Sequence, residues 1–254
     1  MKKLKKVFRS YKFRVLIFIK NLLRYKTKHT AEIKSITDLY NQYAWVSKIV
    51  VLCNGPSANL FEPSNDVLYL VTNSGDKLVA DLHFLYYVND PLYIQRLLAD
   101  DRFLKARTGI VFYYNDTGLH RRNMGYLIKN FDMIRQKTIY FISALLPNPL
   151  AQDNFDKFIS FYSNRDLSVK VQNSGMFILL FGYFIAHHLK LPLEIYGLDM
   201  GEGGRVHFDG KGIIGNSVTD ERVKKNIRRY LDFIYKEYDG KVKNYSYFYS
   251  NLNN

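Results

Sequence analysis

One cysteine is too few for a disulfide. Cys53 is the only thiol in the 254 residues, and it sits inside an apolar run, where it reads as a small core residue. Long apolar runs are also missing from the start of the chain. The longest uncharged stretch there, Val15–Ile19, is far short of the roughly 20 residues that span a bilayer. It is short for a signal-peptide core too, and no small-residue cleavage site follows. Acidic residues are scarce in the same region: residues 1–34 hold 12 Lys/Arg against the single Glu32. The remaining 25 Lys/Arg and 22 Asp/Glu nearly cancel, so most of the net charge of +14 belongs to this arm. A near-neutral body argues against a nucleic-acid-binding domain, and no aromatic RNA-binding signature is present. There is no Asp-x-Asp triplet and no second thiol, and the adjacent His187 and His188 are poorly spaced for a shared ion, so no metal and no cofactor are expected.

Apolar and aromatic residues are plentiful. They make up 47% and 16% of the chain, with 21 Tyr and 18 Phe, enough for a sizeable core. In the arm, Leu4, Val7, Tyr11, Val15, Phe18 and Leu22 recur at spacings of three and four, and most of the basic residues fall off that stripe. This pattern predicts a basic amphipathic helix that lies on an anionic membrane surface through residues 1–28. A helix packed on the protein's own body and a disordered tail are the alternatives.

Beyond the arm, short apolar runs predict strands at 49–53, 67–71, 83–88, 109–113, 138–141, 193–196 and 242–244. Helical patterns fall between them at 91–98, 153–162, 174–190 and 220–238. The alternation predicts an α/β fold: a Rossmann-like domain over 45–254, its sheet mostly parallel with helices on both faces. The helix from Ser174 is apolar nearly all round and is expected to be buried. His187 and His188 near its end read as dipole-favoured surface residues. Six glycines in 201–215 make that stretch a loop.

The candidate site lies at the strand ends. The run Lys48–Cys53 leads into Asn54, Gly55, Pro56 and Ser57: a strand, a tight turn and a helix start capped by Ser57. Gly55 lets a ligand approach the backbone, and Pro56 stiffens the turn. Such a turn at the carboxyl edge of a sheet suits a phosphate, although a plain strand-to-loop turn has the same spelling. Asn73 and Asn89 end the next two strands. Asn173, Ser174 and Gly175 open the buried helix, and Asp199 follows the strand after it. In a parallel sheet these ends face one crevice, and asparagine offers donors and an acceptor without charge. Asparagine also favours such turns for purely local reasons.

Asn-Gly-Pro-Ser after an apolar strand, then Asn73, Asn89, Asn-Ser-Gly at 173–175 and Glu-Ile-Tyr-Gly-Leu-Asp at 194–199, recur in the order that resembles the bacterial sialyltransferases of glycosyltransferase family 42. Lipopolysaccharide Kdo transferases share much of this skeleton. The resemblance runs from about Lys48 to the C-terminus. It implies transfer of an acidic sugar, sialic acid first among them, from a CMP-sugar donor to a hydroxyl of a lipo-oligosaccharide or other envelope glycan. It implies that Asn54 approaches the donor phosphate, that Asn73, Asn89, Asn173, Ser174 and Gly175 hold cytidine, ribose or sugar, and that Asp199 borders the nucleotide. It also implies a lid over about 201–219. The family's general-base histidine falls at Asn216, which cannot take a proton at neutral pH. His207 is the nearest replacement, because an imidazole can take a proton near neutral pH, and Asp209 is in reach to orient it. The family's phosphate-assisting tyrosines fall at Gly201 and Val206, so Arg205, Lys211 or the helix start at Ser174 is left to stabilise the leaving group. A transferase of this kind is expected in the cytoplasm, on the inner face of the bacterial membrane, and a homo-oligomer is possible. Rival readings are a Kdo or other CMP-sugar transferase and, more distantly, a basic RNA-binding protein.

Deleting residues 1–24 should release the protein from anionic vesicles in a flotation assay without loss of soluble activity. Retained flotation would show that the arm is not the anchor.

Overall fold

The structure, a computed structural model, describes residues 33–87, 89, 109–115, 123, 138–146, 148–203, 207–210 and 220–252. In chain order they form α1 (Ile36–Gln42), β1 (Lys48–Leu52), a 3-10 turn (Pro56–Leu60), β2 (Val67–Thr72), a second 3-10 turn (Asn73–Leu78), β3 (Phe84–Tyr87), β4 (Gly109–Tyr114), β5 (Thr138–Ser143), α2 (Pro149–Ser163), α3 (Ser174–Leu189), β6 (Leu193–Tyr196), α4 (Glu221–Glu237) and β7 (Val242–Asn244). Every strand pairing is parallel and helices alternate with strands, so the fold is the α/β, Rossmann-like one that the pattern predicts. The arm before Ile33 and the helix expected at 91–98 lie outside the described residues. Among the described residues, no helix is long and apolar enough to cross a membrane.

The chain divides into two compact units. One comprises residues 1–36, 88–105 and 109–160. In it β4 and β5 pair from Gly109↔Thr138 to Tyr114↔Ser143, and Ile33 bridges Ile139. Asn154 of α2 is fully buried and clamps three backbone segments. Its Nδ2 donates to the carbonyls of Lys34 and Phe141, both at 3.0 Å, and its Oδ1 accepts from Ile36 N–H at 2.8 Å. A buried amide is tolerated where every hydrogen bond is made. α2 begins at Pro149, four residues before the expected start; proline suits a first helical turn, and Asn148 Oδ1 accepts from Ala151 N–H at 3.1 Å.

The second unit comprises residues 37–87, 106–108 and 161–254. Its strands lie in the order β3-β2-β1-β6-β7. β1 is central, paired with β2 from Lys48↔Val67 to Leu52↔Val71 and with β6 from Ile49↔Leu193 to Leu52↔Tyr196. All six residues of β2 are buried, as continuous apolar strands of a covered parallel sheet should be. α3 packs on β1, β2 and β6. Its residues Met176 through Ala186 are buried without a break, so it has no polar face. Gly182 lets it come this close: a Cβ there would stand 2.4 Å from Val51 Cγ2. α4 is amphipathic instead and buries Val223, Ile227, Tyr230, Leu231 and Ile234.

At the far end of α3, His187 and His188 are part of an aromatic cluster. The His188 ring stacks on Tyr40 at 4.4 Å, and His187 meets Phe161 edge-on at 5.1 Å. Burial and the nearby Arg165 guanidinium hold both imidazoles below the usual histidine range. They stand about 20 Å along the helix from its first turn.

Candidate functional site

The carboxyl edge of the second unit's sheet is organised by a carboxylate. β1 hands over to its turn through two more ladder bonds: Cys53 N–H to Tyr196 O at 2.9 Å and Gly55 N–H to Gly197 O at 2.8 Å. Pro56–Leu60 then forms a single 3-10 turn, not the expected helix, and the Ser57 side chain does not cap it. Its hydroxyl donates to Asp199 Oδ1 at 2.6 Å and accepts from Gly197 N–H at 2.8 Å. Ser57 N–H donates to Asp199 Oδ2 at 2.8 Å, and Tyr247 N–H donates to Oδ1 at 2.7 Å. The space left by Gly55 is filled by the same group: a Cβ there would lie 2.2 Å from Asp199 Oδ2. The bare α-carbon therefore admits the protein's own carboxylate, where the turn's spelling points to an external anion. Asp199 is almost wholly buried, and burial lifts its pKa above the ordinary carboxylate value against the pull of its three donors. Cys53, beside it, is buried too, and burial pushes its thiol far up, out of reactive range.

Asn54 sits over this knot. Its carbonyl accepts from Phe208 N–H at 2.8 Å, and its Oδ1 accepts from Ser74 N–H at 3.1 Å. Its Nδ2 is buried and has no hydrogen-bond partner among the described residues. Asn73 takes the left-handed conformation (φ 54°) that asparagine tolerates, and its carbonyl accepts from Tyr86 Oη at 2.6 Å. Gly75 lies in the same turn, where a Cβ would come within 3.1 Å of Leu52 O.

Asn173 caps α3: its Oδ1 accepts from Met176 N–H at 2.8 Å. The amides of Ser174 and Gly175 have no partner inside the helix and carry the positive end of its dipole. This turn lies against the end of β1, since a Cβ on Gly175 would be 3.4 Å from Cys53 Sγ and 2.9 Å from Leu198 Cδ1.

The segment 207–210 is tied to the same rim. Besides Phe208 N–H on Asn54, Asn59 Nδ2 donates to Phe208 O at 3.2 Å. Lys77 Nζ pairs with Asp209 at 3.1 Å. The Asp209 carboxylate thus meets Lys77, an ion pair that the expectation for His207 did not include. His207 Nδ1 is buried without a hydrogen-bond partner among the described residues.

The structure thus brings together Asn54, Gly55, Pro56, Ser57, Asn73, Asn173, Ser174, Gly175, Asp199, His207 and Asp209 around one edge. Asn89 belongs to the other unit, where its Oδ1 accepts from Asn123 Nδ2 at 3.3 Å. Arg205, Lys211 and Asn216, and most of the lid expected over 201–219, lie outside the described residues. Three participants escape a reading of the sequence. Lys77 is one lysine among many, and Tyr247 contributes only its backbone amide to Asp199. Thr72 ends β2 like any β-branched residue, yet its Oγ1 is buried without a partner among the described residues. No protein-family model matches the chain, and no curated protein or solved structure matches it.

Ser57→Ala should destabilise the fold by roughly 1–3 kcal/mol at pH 7, because it removes one donor to Asp199 and orphans Gly197 N–H. The folded Asp199 holds its proton more tightly than the unfolded one, so this group costs stability as pH rises from about 4 through the raised native value. Losing a donor raises that value further, so the deficit measured by urea denaturation should be smaller at pH 4 than at pH 7. A deficit independent of pH would remove the Ser57–Asp199 bond from this role.

Proposed function

We propose that this chain is a glycosyltransferase that moves an acidic sugar, sialic acid, from a CMP-activated donor to a hydroxyl of a cell-envelope glycan. The observation that carries the reading is the buried Nδ2 of Asn54 at the carboxyl edge of the central strand, which has no hydrogen-bond partner among the described residues. A buried donor left without an acceptor costs about 1–3 kcal/mol, a cost that a donor-substrate oxygen placed over it removes. The rim of a parallel α/β sheet is also where nucleotide ligands bind as a class. The family resemblance supplies the cytidine nucleotide and the acidic sugar.

In this reading His207 takes the proton from the acceptor hydroxyl through its Nδ1, which has no hydrogen-bond partner among the described residues. The acceptor oxygen bonds to the anomeric carbon as the bond from that carbon to the CMP phosphate oxygen breaks. The electron pair leaves with CMP, and the Ser174 and Gly175 amides at the start of α3 meet the developing charge. Asn173 acts through the helix, because its cap on Met176 N–H fixes the direction of that first turn. Ser57 and Asp199 shape the edge and do not touch the reacting atoms. The basic arm holds the enzyme at an anionic membrane surface, beside lipid-linked acceptors.

Two measurements test this. In thermal-shift titrations, CMP, CMP-sialic acid or CMP-Kdo should stabilise the protein by about 2.7 kcal/mol at a hundredfold excess over Kd, and UDP-sugars and ATP should not. Stabilisation by ATP with Mg²⁺ alone would remove the transferase reading. Second, His207→Ala should lower turnover about 10²–10⁴-fold and leave donor affinity intact. Undiminished turnover would exclude His207 as the base.

A further inference from the structure

Thr72 closes β2 with extended backbone (φ −135°, ψ 156°) and is only 2% exposed. Its position on the sheet says where its side chain goes. Thr72 pairs with Tyr87 on β3, and it stands one step beyond the paired Leu52 and Val71, beside Cys53. Side chains in register on parallel strands share a face. Both neighbours in this row touch the first turns of α3. Cys53 Sγ lies 3.4 Å from where a Gly175 Cβ would be, and the Tyr87 and Phe177 rings are 4.2 Å apart. Thr72 therefore lies between them, on the α3 face and under its N-terminal end. Its Oγ1 is a buried hydroxyl without a hydrogen-bond partner among the described residues. Native proteins rarely leave such a group unmade, and here it sits beneath a helix start whose Ser174 and Gly175 amides have no intrahelical partner.

We propose that Thr72 is a ligand-binding residue of this site, its Oγ1–H donating to an anionic oxygen held at the first turn of α3. The inference rests on the donor reading above and deepens it, by naming the group that the helix start receives. Backbone amides and the hydroxyl all donate, so the partner is an acceptor that carries negative charge. A CMP-acidic-sugar donor has two such groups, the phosphate and the sugar carboxylate. The anion site thereby lies at α3 and not at the Asn54–Ser57 turn, whose amide already serves Asp199.

The test uses the full chain with Thr72→Val, which keeps the shape and removes the hydroxyl, and Thr72→Ser, which keeps the hydroxyl. Ligand-free stability is read by urea denaturation, and affinity for cytidine, CMP and CMP-sialic acid by calorimetry. Without ligand, Thr72→Val should be at least as stable as the wild type, because an unpaired buried hydroxyl is replaced by a methyl. Its affinity for CMP should fall about tenfold or more, as for a lost hydrogen bond to a charged group, with cytidine unaffected and Thr72→Ser near wild type. A tenfold loss confined to CMP-sialic acid assigns the sugar carboxylate as the partner and equally supports the contact. Wild-type affinity of Thr72→Val for both charged ligands overturns it, whether or not stability falls. If the wild type itself binds none of the three, the donor reading fails and takes this contact with it.

Discussion

A buried carboxylate holds the carboxyl edge of the main sheet together. Asp199 accepts from Ser57, 142 residues earlier, and from Tyr247, 48 residues later, so one side chain joins the turn after β1, the turn after β6 and the C-terminal segment. Removing a carboxylate from water is expensive, and three donors in good geometry offset the cost. The arrangement dictates the local sequence. Position 55 must lack a Cβ, and position 57 must offer a hydroxyl able to donate to Asp199 while accepting from Gly197 N–H.

The same knot redistributes the electrostatics of the edge. With its amide donated to Asp199, the turn after β1 is neutralised from within. The positive end of α3 is left as the helix start facing the rim, fixed by the Asn173 cap and close to β1 because Gly175 has no side chain. Along the same edge of the sheet stand three polar groups that are buried without partners among the described residues: Asn54 Nδ2, Thr72 Oγ1 and His207 Nδ1. The buried amides of Asn154 and Asn244, by contrast, each make several hydrogen bonds.

Much of this framework was legible in the primary structure. The strands through Cys53, Val71 and Tyr196 and the apolar helix from Ser174 follow from short β-branched runs and an uninterrupted apolar segment. Asn54 and Asn73 after their strands marked the rim, because parallel strands place their carboxyl ends on one side, whereas Asn89 belongs to the other unit. Less legible were the roles. Gly55 and Ser57 spell a phosphate turn, yet their partner is an aspartate 142 residues away. Asp209, two residues from His207, pairs with Lys77, which no local pattern distinguishes. Thr72 looks like an ordinary strand residue until the register shows it under a helix start.

Hydrophobic periodicity, turn residues and charge placement determined the class of fold, the direction of the strands and the side of the sheet that carries polar strand ends. These are local properties, set by side-chain volume, backbone preference and spacing along a few residues. Which polar atoms are satisfied, and which are left for something else, was decided only by the tertiary structure. Hydrogen bonds and ion pairs form between residues that are near in space, and the distance along the chain from Ser57 to Asp199 or from Lys77 to Asp209 carries no trace of that nearness.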